Sequence, residues 1–238
     1  PMAAFIGGMF GWQSAFALIG VLSLASAAWV WQAMPDGVKP PALSLASWRE
    51  TFRSPALMLA VAVTVLYAAG QFVLFSYFAP YYKYKVGATP GQLALLLMWF
   101  GAFGFIGNVV MTRYVDRVGS ARCVMIAVGL MAVSLLVWPL GTSLALAAVV
   151  AVPWALGCFS SNSAQQARLV GIAPPLASAS IALNSSAMYA GQAIGAASGG
   201  WLITQAGMES LHWAGFVGLL LAMAASFAAT RFTHSTRT

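Results

Sequence analysis

Long apolar stretches, interrupted by very few charged residues, dominate this chain. Seven of them have the length of a membrane span, at 14–33, 56–80, 91–112, 122–139, 143–168, 176–205 and 211–231. Hydrophobic residues make up 61% of the chain and charged residues only 6%, whereas about 25% of the residues of a soluble domain are charged. A bilayer core of about 30 Å needs roughly 20 apolar residues in a helix. The stretches therefore predict a protein whose solvent is lipid.

The length of the stretches identifies them as helices, since only helices and closed barrels satisfy their backbone hydrogen bonds in lipid. Barrel strands alternate in polarity and span about 10 residues, and these runs are longer and uniformly apolar. We predict an all-α polytopic membrane protein that is not an enzyme and needs no cofactor or metal. The net charge of +7 does not indicate nucleic-acid binding, because basic residues gather in cytoplasmic loops of membrane proteins.

The loops between the runs alternate in charge, which predicts the orientation. Lys83 and Lys85 are the only basic residues in one set of loops, and nine lie in the other set: Lys39, Arg49, Arg53, Arg113, Arg117, Arg122, Arg168, Arg231 and Arg237. An excess of Lys and Arg marks the cytoplasmic side. We therefore expect the N-terminus outside and the C-terminus in the cytoplasm.

The longest interruption, at 35–53, separates one span from the other six. Its prolines and an Asp-Gly pair stop helices and favour turns, as expected of a cytoplasmic inter-domain linker between residues 1–34 and a six-helix bundle at 54–238. Two interpretations of its second half remain open. A short amphipathic helix at the cytoplasmic membrane surface fits the apolar residues that lie beside Arg49 and Arg53, namely Leu43, Leu45, Trp48 and Phe52. A solvated loop fits equally well.

Polar side chains within four of the spans are the main clue to function, because such groups are costly in lipid and tend to face a bundle interior or a wet cavity. The other three spans, at 14–33, 122–139 and 211–231, are almost wholly apolar, and we expect them to face lipid. Aromatic and uncharged hydrogen-bonding groups suit small organic ligands, and for Gln71, Trp154 and Gln192 an interhelical hydrogen bond is an equal alternative. The polar candidates at helical spacing are Tyr67, Gln71, Asn108, Trp154, Gln165, Tyr189 and Gln192. On the span at 143–168 the residues of one helical face form a continuous stripe: Trp154, Cys158, Ser161, Gln165 and Arg168.

Two further patterns concern packing and proton transfer. Gly191, Gly195 and Gly199 form a GxxxGxxxG series, which favours close helix packing. All four acids, Asp36, Glu50, Asp116 and Glu209, lie in loops or near span ends. A proton relay needs a titratable group at depth, so if this protein couples its function to protons, the coupling residue is expected in a part of the molecule outside this chain.

The segment Gly101–Arg122 holds the most specific motif, in which Asp116 lies between Arg113 and Arg117 and Gly119 permits a turn. Such an acid can accept charge-assisted hydrogen bonds and hold one conformation. A simple topology signal explains the arginines equally well. The stretch GNVVMTRYVDRVGSAR resembles the short-loop signature of the major facilitator superfamily, in the copy between the eighth and ninth spans.

Other segments extend the resemblance to the sugar-efflux (arabinose-type) branch of the twelve-span drug:proton antiporters. PMAAFIGGMFGW at 1–12 is similar to the end of the fifth span, and GQFVLFSYFAPYY at 70–82 is similar to the seventh. QQARLVGIAP at 165–174 and ALNSSAMYAGQAIGAASGG at 182–200 resemble the region of the tenth and eleventh spans. The resemblance implies that residues 14–33 are the sixth span and 54–238 the complete C-terminal bundle, with spans one to five missing.

The resemblance also implies a mechanism and a set of sites. It implies proton-coupled efflux of sugars or drugs by alternating access across a bacterial inner membrane, with lipid, a small-molecule substrate, protons and the missing N-terminal bundle as partners. It places Gln71, Phe75, Trp154, Gln165 and Gln192 at the substrate cavity and makes Arg113, Asp116 and Arg117 gating residues. Replacing Gln71, Trp154 or Gln192 with Ala is expected to change substrate preference and leave folding intact. Thr112 and Gln13 depart from the family pattern.

Three rival interpretations are weaker. A seven-span receptor fits the span count, but a retinal protein needs a lysine within a span, and every lysine here lies in a loop. An intramembrane enzyme needs acids, histidines or an activated nucleophile near mid-membrane, and Cys158 has no such neighbour on its helical face. A half-size transporter working as a dimer fits poorly with the unpaired first span.

Overall fold

The computed structural model describes residues 6–7, 10–35 and 44–235, and nearly all of these residues are helical. The prediction of an all-α membrane fold is confirmed, with no strand in the described ranges. The helices are α1 (Trp12–Ala33), α2 (Leu45–Arg53), α3 (Pro55–Phe75), α4 (Phe78–Val86), α5 (Pro90–Val118), α6 (Ser120–Leu136), α7 (Leu144–Ile172), α8 (Ala177–Ala206) and α9 (Leu211–Ser235). The predicted span end at 1–12, the linker residues Asp36 and Lys39, and Arg237 lie wholly or largely outside the described residues.

Each predicted span coincides with helical structure. Among the described residues, five helical segments are long and apolar enough to cross a membrane: Trp12–Ala33, Pro55–Val86, Pro90–Val118, Leu144–Ile172 and Met208–Phe232. The other two are α6, which has 17 residues, and α8, which has 30 residues but is rich in Ser and Gly. Of the two interpretations of the second half of the linker, a helix and a loop, the helix is correct, because residues 45–53 are helical.

The predicted span at 56–80 is not one continuous helix. A turn at Ser76 and Tyr77 separates α3 from α4. The Tyr77 hydroxyl donates a hydrogen bond of 2.8 Å to the carbonyl oxygen of Ala196 on α8. Its ring lies where a side chain at Gly199 or Gly200 would project, so the two glycines make room for the side chain at the break.

Helix α3 lies at the centre of the bundle, packed against α8 on one side and α9 on the other. Helix α7 packs against α5 and α6, and α6 also contacts α9. Helix α1 stands apart, and Ala15 is its only buried residue. Residues 54–235 thus form one compact helical unit.

Glycines lie at the crossings of the main helix pairs. A Cβ at Gly191, Gly195 or Gly199 would collide with successive backbone carbonyls of α3, those of Val65, Ala69 and Val73. A similar approach occurs at Gly70 against α9, at Gly107 against α7 and at Gly157 against α6. Because lipid gives little hydrophobic drive for helices to associate, close backbone packing of this kind holds the bundle together.

Two sequence expectations about these helices are wrong. Helix α6, expected to face lipid, has eight of its 17 residues buried, because it fills the space between α7 and α9. The charged loop after the third span is helical as well, since α5 continues to Val118 and only Gly119, at φ 90°, separates it from α6. Arg113, Asp116 and Arg117 therefore occupy the exposed last turns of a helix.

Arg168 was expected in a cytoplasmic loop, and this expectation is also wrong. It lies within α7, one turn before the helix ends at Ile172, and is only 4% exposed. Its guanidinium donates hydrogen bonds to the Ser226 hydroxyl (3.0 Å), the Ser226 carbonyl (3.2 Å) and the Thr230 hydroxyl (3.0 Å) on α9. The nearby C-terminal ends of α7 and α9 carry partial negative charge, which favours a cation here.

Candidate functional site

A cavity of about 350 Å³ opens between α3, α5, α7 and α8. Its wall combines amide, hydroxyl, thiol and aromatic groups, with no charged side chain among the lining residues. The lining is formed by Gln71, Phe72, Phe75, Asn108, Cys158, Phe159, Asn162, Ser163, Met188, Tyr189 and Gln192. A pocket with this wall can hold a small organic molecule by hydrogen bonds and by contact with flat apolar groups.

The structure brings five of the eight predicted substrate-binding residues to this cavity: Gln71, Phe75, Asn108, Tyr189 and Gln192. The other three, Tyr67, Trp154 and Gln165, are fully buried and lie outside its lining. The predicted set therefore divides into side chains that can touch a ligand and side chains that support the wall.

Trp154 supports the wall through Gln71 and through its aromatic neighbours. Its indole Nε1 donates a hydrogen bond of 3.4 Å to Gln71 Oε1. Its ring lies 5.8 Å from the Phe75 ring, 5.6 Å from Phe100 and 5.3 Å from Trp138, centroid to centroid. Because Gln71 and Phe75 face the cavity, Trp154 fixes the orientation of two lining side chains without reaching the ligand space.

An amide and hydroxyl network continues from the cavity into the bundle. The Ser163 hydroxyl donates to Asn108 Oδ1 at 2.9 Å, which joins α7 to α5. Asn184 Nδ2 donates to Asn162 Oδ1 at 3.2 Å, and Thr64 donates to Asn184 Oδ1 at 2.6 Å. The chain Thr64–Asn184–Asn162 thus links α3, α8 and α7 with neutral hydrogen bonds.

Asn162 and Ser163 line the cavity but are not among the residues predicted from the sequence. Four consecutive polar residues, SSNS at 160–163, occur in mid-span, and that run was an available signal. A stripe drawn at spacings of three and four selected Ser161 and Gln165 instead. Ser161 is fully buried, whereas Asn162 and Ser163 are half-buried at the cavity.

Gln165 and Arg168 continue the α7 stripe toward the predicted cytoplasmic end, but both are committed to neighbouring helices. Gln165 Nε2 donates to the Ala60 carbonyl on α3, and Arg168 bridges to α9 as described above. Helices α7 and α9 make few other contacts with each other. Arg168 therefore joins α7 to α9, although the backbones of these two helices are not closely packed.

Aromatic rings and one ion pair gather at the opposite, predicted external end. Phe78, Tyr81 and Tyr82 of α4 surround Trp138, with ring centroids 5.5 to 6.3 Å from it. Lys85 Nζ lies 2.5 Å from Glu209 Oε1, the one salt bridge in the described part of the chain. The aromatic contacts join α4 to the turn Trp138–Leu140 after α6, and the ion pair joins α4 to the turn Met208–Ser210 before α9.

A larger hollow of about 450 Å³ lies between α5 and α7, but its lining is almost wholly apolar. Leu95, Met98 and Trp99 form much of its wall. An apolar surface of this kind suits lipid or another helix. The smaller polar cavity is the better candidate for a ligand site because its hydrogen-bonding groups converge there.

The candidate gating residues lie apart from the cavity. Arg113, Asp116 and Arg117 are exposed, and no ion pair involving them occurs within the described ranges. Arg113 does contribute to a shallow depression with Asn108 and Thr112. Asn108 therefore lies between the polar cavity and this charged end of α5.

Comparison with known proteins supports the fold. The family model described as Major Facilitator Superfamily matches residues 61–237. A Pseudomonas aeruginosa protein named transcription regulatory protein OpdE is 27% identical to the chain over 226 residues. That match covers 93% of this chain and 56% of OpdE, so the chain spans about half the length of the curated relative that it matches.

Proposed function

The chain belongs to the major facilitator superfamily, and we propose that it is the C-terminal portion of a twelve-span transporter for a small organic molecule. Residues 1–34 would then contain the end of the fifth span and the sixth span, 35–53 the linker, and 54–238 the C-terminal bundle. A preceding N-terminal bundle would be its main partner within the same protein. The length of the match to OpdE, 56% of that protein, supports this division.

The polar cavity carries the proposal, because it opens at the side of the bundle. Tyr189 is 70% exposed and Phe105 is 70% exposed, and both border cavities that include Asn108. A second bundle packed across this opening would complete an enclosed site. Rocking of the two bundles about that site would expose it alternately to the two sides of the membrane.

The lining indicates the class of substrate. Asn108, Asn162 and Gln192 offer both donors and acceptors, and Phe75 and Tyr189 offer apolar ring surface. A neutral molecule with hydroxyl or carbonyl groups, such as a sugar or a moderately polar drug, fits this combination. Gln71 would bind beside Phe75, and the buried Tyr67, Trp154 and Gln165 would position the wall.

Proton-coupled efflux across a bacterial inner membrane is the finer part of the proposal. Of the acids within the described ranges, Glu50 lies in α2, Asp116 in the last turn of α5 and Glu209 in the turn Met208–Ser210. None of them lines the cavity. The coupling acid would belong to the preceding bundle. Arg113, Asp116, Arg117 and the Gly119 turn would act at the cytoplasmic interface between bundles and gate the inward opening.

The test is transport by the full-length protein in everted membrane vesicles, with a panel of sugars and drugs and an imposed proton gradient. Asn108→Ala and Gln192→Ala are expected to reduce transport of the accepted compound about tenfold, the loss of one good hydrogen bond. Thr204→Ala, on the exposed end of α8, is the control. No gradient-dependent movement of any compound, or equal transport by all three variants, would contradict the proposal.

A regulatory role is the second candidate, and the printed name of OpdE, transcription regulatory protein, is the observation that favours it. A membrane protein with this cavity could bind a small molecule and pass the signal on without transporting it. Ligand binding that stabilises the purified protein, together with altered transcript levels in a deletion strain and no movement of the ligand into vesicles, would favour this role over transport.

The seven-span receptor alternative loses its support, because the family match covers most of the chain.

A further inference from the structure

Helix α2 presents an apolar and basic surface that the bundle does not use. It begins after Ser44, whose hydroxyl accepts a hydrogen bond of 3.0 Å from the Ser47 amide. It ends at Arg53, and the extended backbone of Ser54 separates it from α3. The helix is therefore a separate element at the predicted cytoplasmic end, where it contacts α3, α8 and the turn Pro174–Leu176.

One face of α2 is attached to the bundle. Thr51 is fully buried, and its hydroxyl donates to the Ser47 carbonyl at 2.8 Å. Ser47 is half-buried on the same face, and Trp48 is half-buried at the edge of that face. These residues fix how the helix is rotated about its axis, and so determine which side chains point away from the protein.

The free face is apolar, although it belongs to a helix outside the bundle core. Leu45 is 89% exposed and Phe52 is 54% exposed. The Trp48 and Phe52 rings stack with centroids 6.0 Å apart, so Leu45, Trp48 and Phe52 form one continuous strip at helical spacing. Exposed aromatic and aliphatic groups at this density mark a surface that is covered by another apolar phase.

The charges on α2 indicate which phase covers it. Arg49 and Arg53 are exposed and lie on the helical face next to the apolar strip, whereas Glu50 lies further round the helix. An amphipathic helix with an apolar strip and flanking basic residues suits the bilayer interface, and its basic groups suit anionic lipid. The guanidinium groups can bind phosphate oxygens with paired hydrogen bonds.

We infer that α2 lies in the cytoplasmic membrane interface, with the strip Leu45–Trp48–Phe52 in the acyl region and Arg49 and Arg53 bound to anionic phospholipid headgroups. This anchor would hold the linker next to the first turn of α3, whose N-terminus follows after Ser54 alone. Any movement of the linker between bundles would then be sensitive to the anionic lipid content of the inner leaflet. The inference concerns the lipid surface and does not depend on the proposed substrate.

Fluorescence quenching in nanodiscs tests the depth of the helix. A fluorophore attached at Phe52→Cys or at Glu50→Cys, in full-length protein with Cys123 and Cys158 replaced by Ala, reports on opposite sides of α2. We expect brominated lipid to quench the label at position 52 and aqueous iodide to quench the label at position 50. A label at 52 that iodide quenches, or that neither reagent reaches, would overturn the inference, since the strip would then face water or protein.

The binding of Arg49 and Arg53 to anionic headgroups is tested with nanodiscs of phosphatidylcholine and phosphatidylglycerol. Native mass spectrometry of the released protein gives the ratio of retained phosphatidylglycerol to phosphatidylcholine. Arg49→Gln and Arg53→Gln are each expected to lower this ratio roughly five-fold, the effect of about one surface cation. Arg122→Gln, which removes an exposed cation elsewhere at the same end, is the matched control. Equal ratios for all three variants and the wild type would contradict a headgroup site on α2.

Discussion

Polar residues lie along two adjacent stretches of α7, and the structure uses them in opposite ways. Asn162 and Ser163 line an open cavity, whereas Gln165 and Arg168, less than two turns further on, are buried. The first pair have neighbours that leave room for a ligand. The second pair meet a carbonyl of α3 and two hydroxyl residues of α9. A polar residue within a span thus indicates a position that faces the protein. The groups on the neighbouring helix determine whether that position lines a ligand cavity or makes a structural contact.

The largest expected effect separates supporting residues from lining residues. Trp154→Ala should lower the free energy of unfolding by about 3–5 kcal/mol, because a fully buried indole is removed from a packed aromatic cluster. Gln192→Ala, at the cavity, should change it by less than about 0.5 kcal/mol. Denaturant unfolding of the full-length protein in detergent measures both. This result would correct the expectation from sequence that both replacements leave folding intact, and equal stability of the two variants would contradict the division.

The next largest loss of stability is expected at the glycine contacts between α3 and α8. Gly195→Ala should destabilise the bundle by about 3 kcal/mol, because the new Cβ would collide with the Ala69 carbonyl and backbone atoms cannot easily move. Gly91→Ala is the matched control, since a Cβ there meets no atom within 4 Å. The same unfolding measurement applies. If Gly91→Ala lowered the free energy of unfolding as much as Gly195→Ala, close helix packing would not be the cause of the destabilisation.

The buried Arg168 is expected to contribute less to the free energy of unfolding than its three hydrogen bonds suggest. Arg168→Ala removes three interhelical hydrogen bonds, but it also removes the desolvation cost of a buried cation, so we expect a net loss of about 2 kcal/mol. Arg122→Ala, at an exposed position, should have almost no effect. Arg168→Lys should lie between them, because one ammonium cannot reproduce the geometry of the guanidinium. Wild-type stability for Arg168→Ala would mean that the contact is not structurally important.

The smallest effect on stability is expected at the charged end of α5. Asp116→Asn should leave the unfolding free energy within about 0.5 kcal/mol of wild type, because the side chain is exposed and surface charges contribute little. If Asp116 holds the inward gate in the full-length protein, the transport rate should still fall several-fold. The rate in vesicles tests this, with Glu50→Gln as an exposed control. Unchanged transport would reduce the motif to a topology signal.

Hydrophobicity predicted the fold well, because lipid leaves few alternatives to a helix. The span at 176–205 was found despite its Ser, Asn and Gly residues, and its glycines do lie against α3. The end of α5 was not found, since Arg113 and Asp116 resemble loop residues although the helix continues to Val118. Arg168 was misplaced for the same reason: a cation near a span end was assigned to water, and Ser226 and Thr230 gave no sequence signal of their role as its partners.

The site was predictable at the level of helices and less so for individual residues. Gln71, Asn108 and Gln192 were identified because polar groups in these spans face inward. Asn162 and Ser163 were missed because a helical stripe has no information on the shape of the neighbouring helix. Which side of α7 opens to a cavity depends on Phe159 and on the crossing with α5 at Gly107, and such contacts follow only from the packed structure.

Thiol accessibility distinguishes a cavity-lining residue of α8 from a buried residue of α7. Gln192→Cys and Gln165→Cys, each in full-length protein with Cys123 and Cys158 replaced by Ala, are exposed to a membrane-impermeant maleimide in right-side-out and everted vesicles. We expect labelling of the cysteine at 192 and no labelling of the cysteine at 165 unless the protein is unfolded. Equal labelling at both positions, or labelling at 165 alone, would contradict a ligand cavity bounded by a structural core.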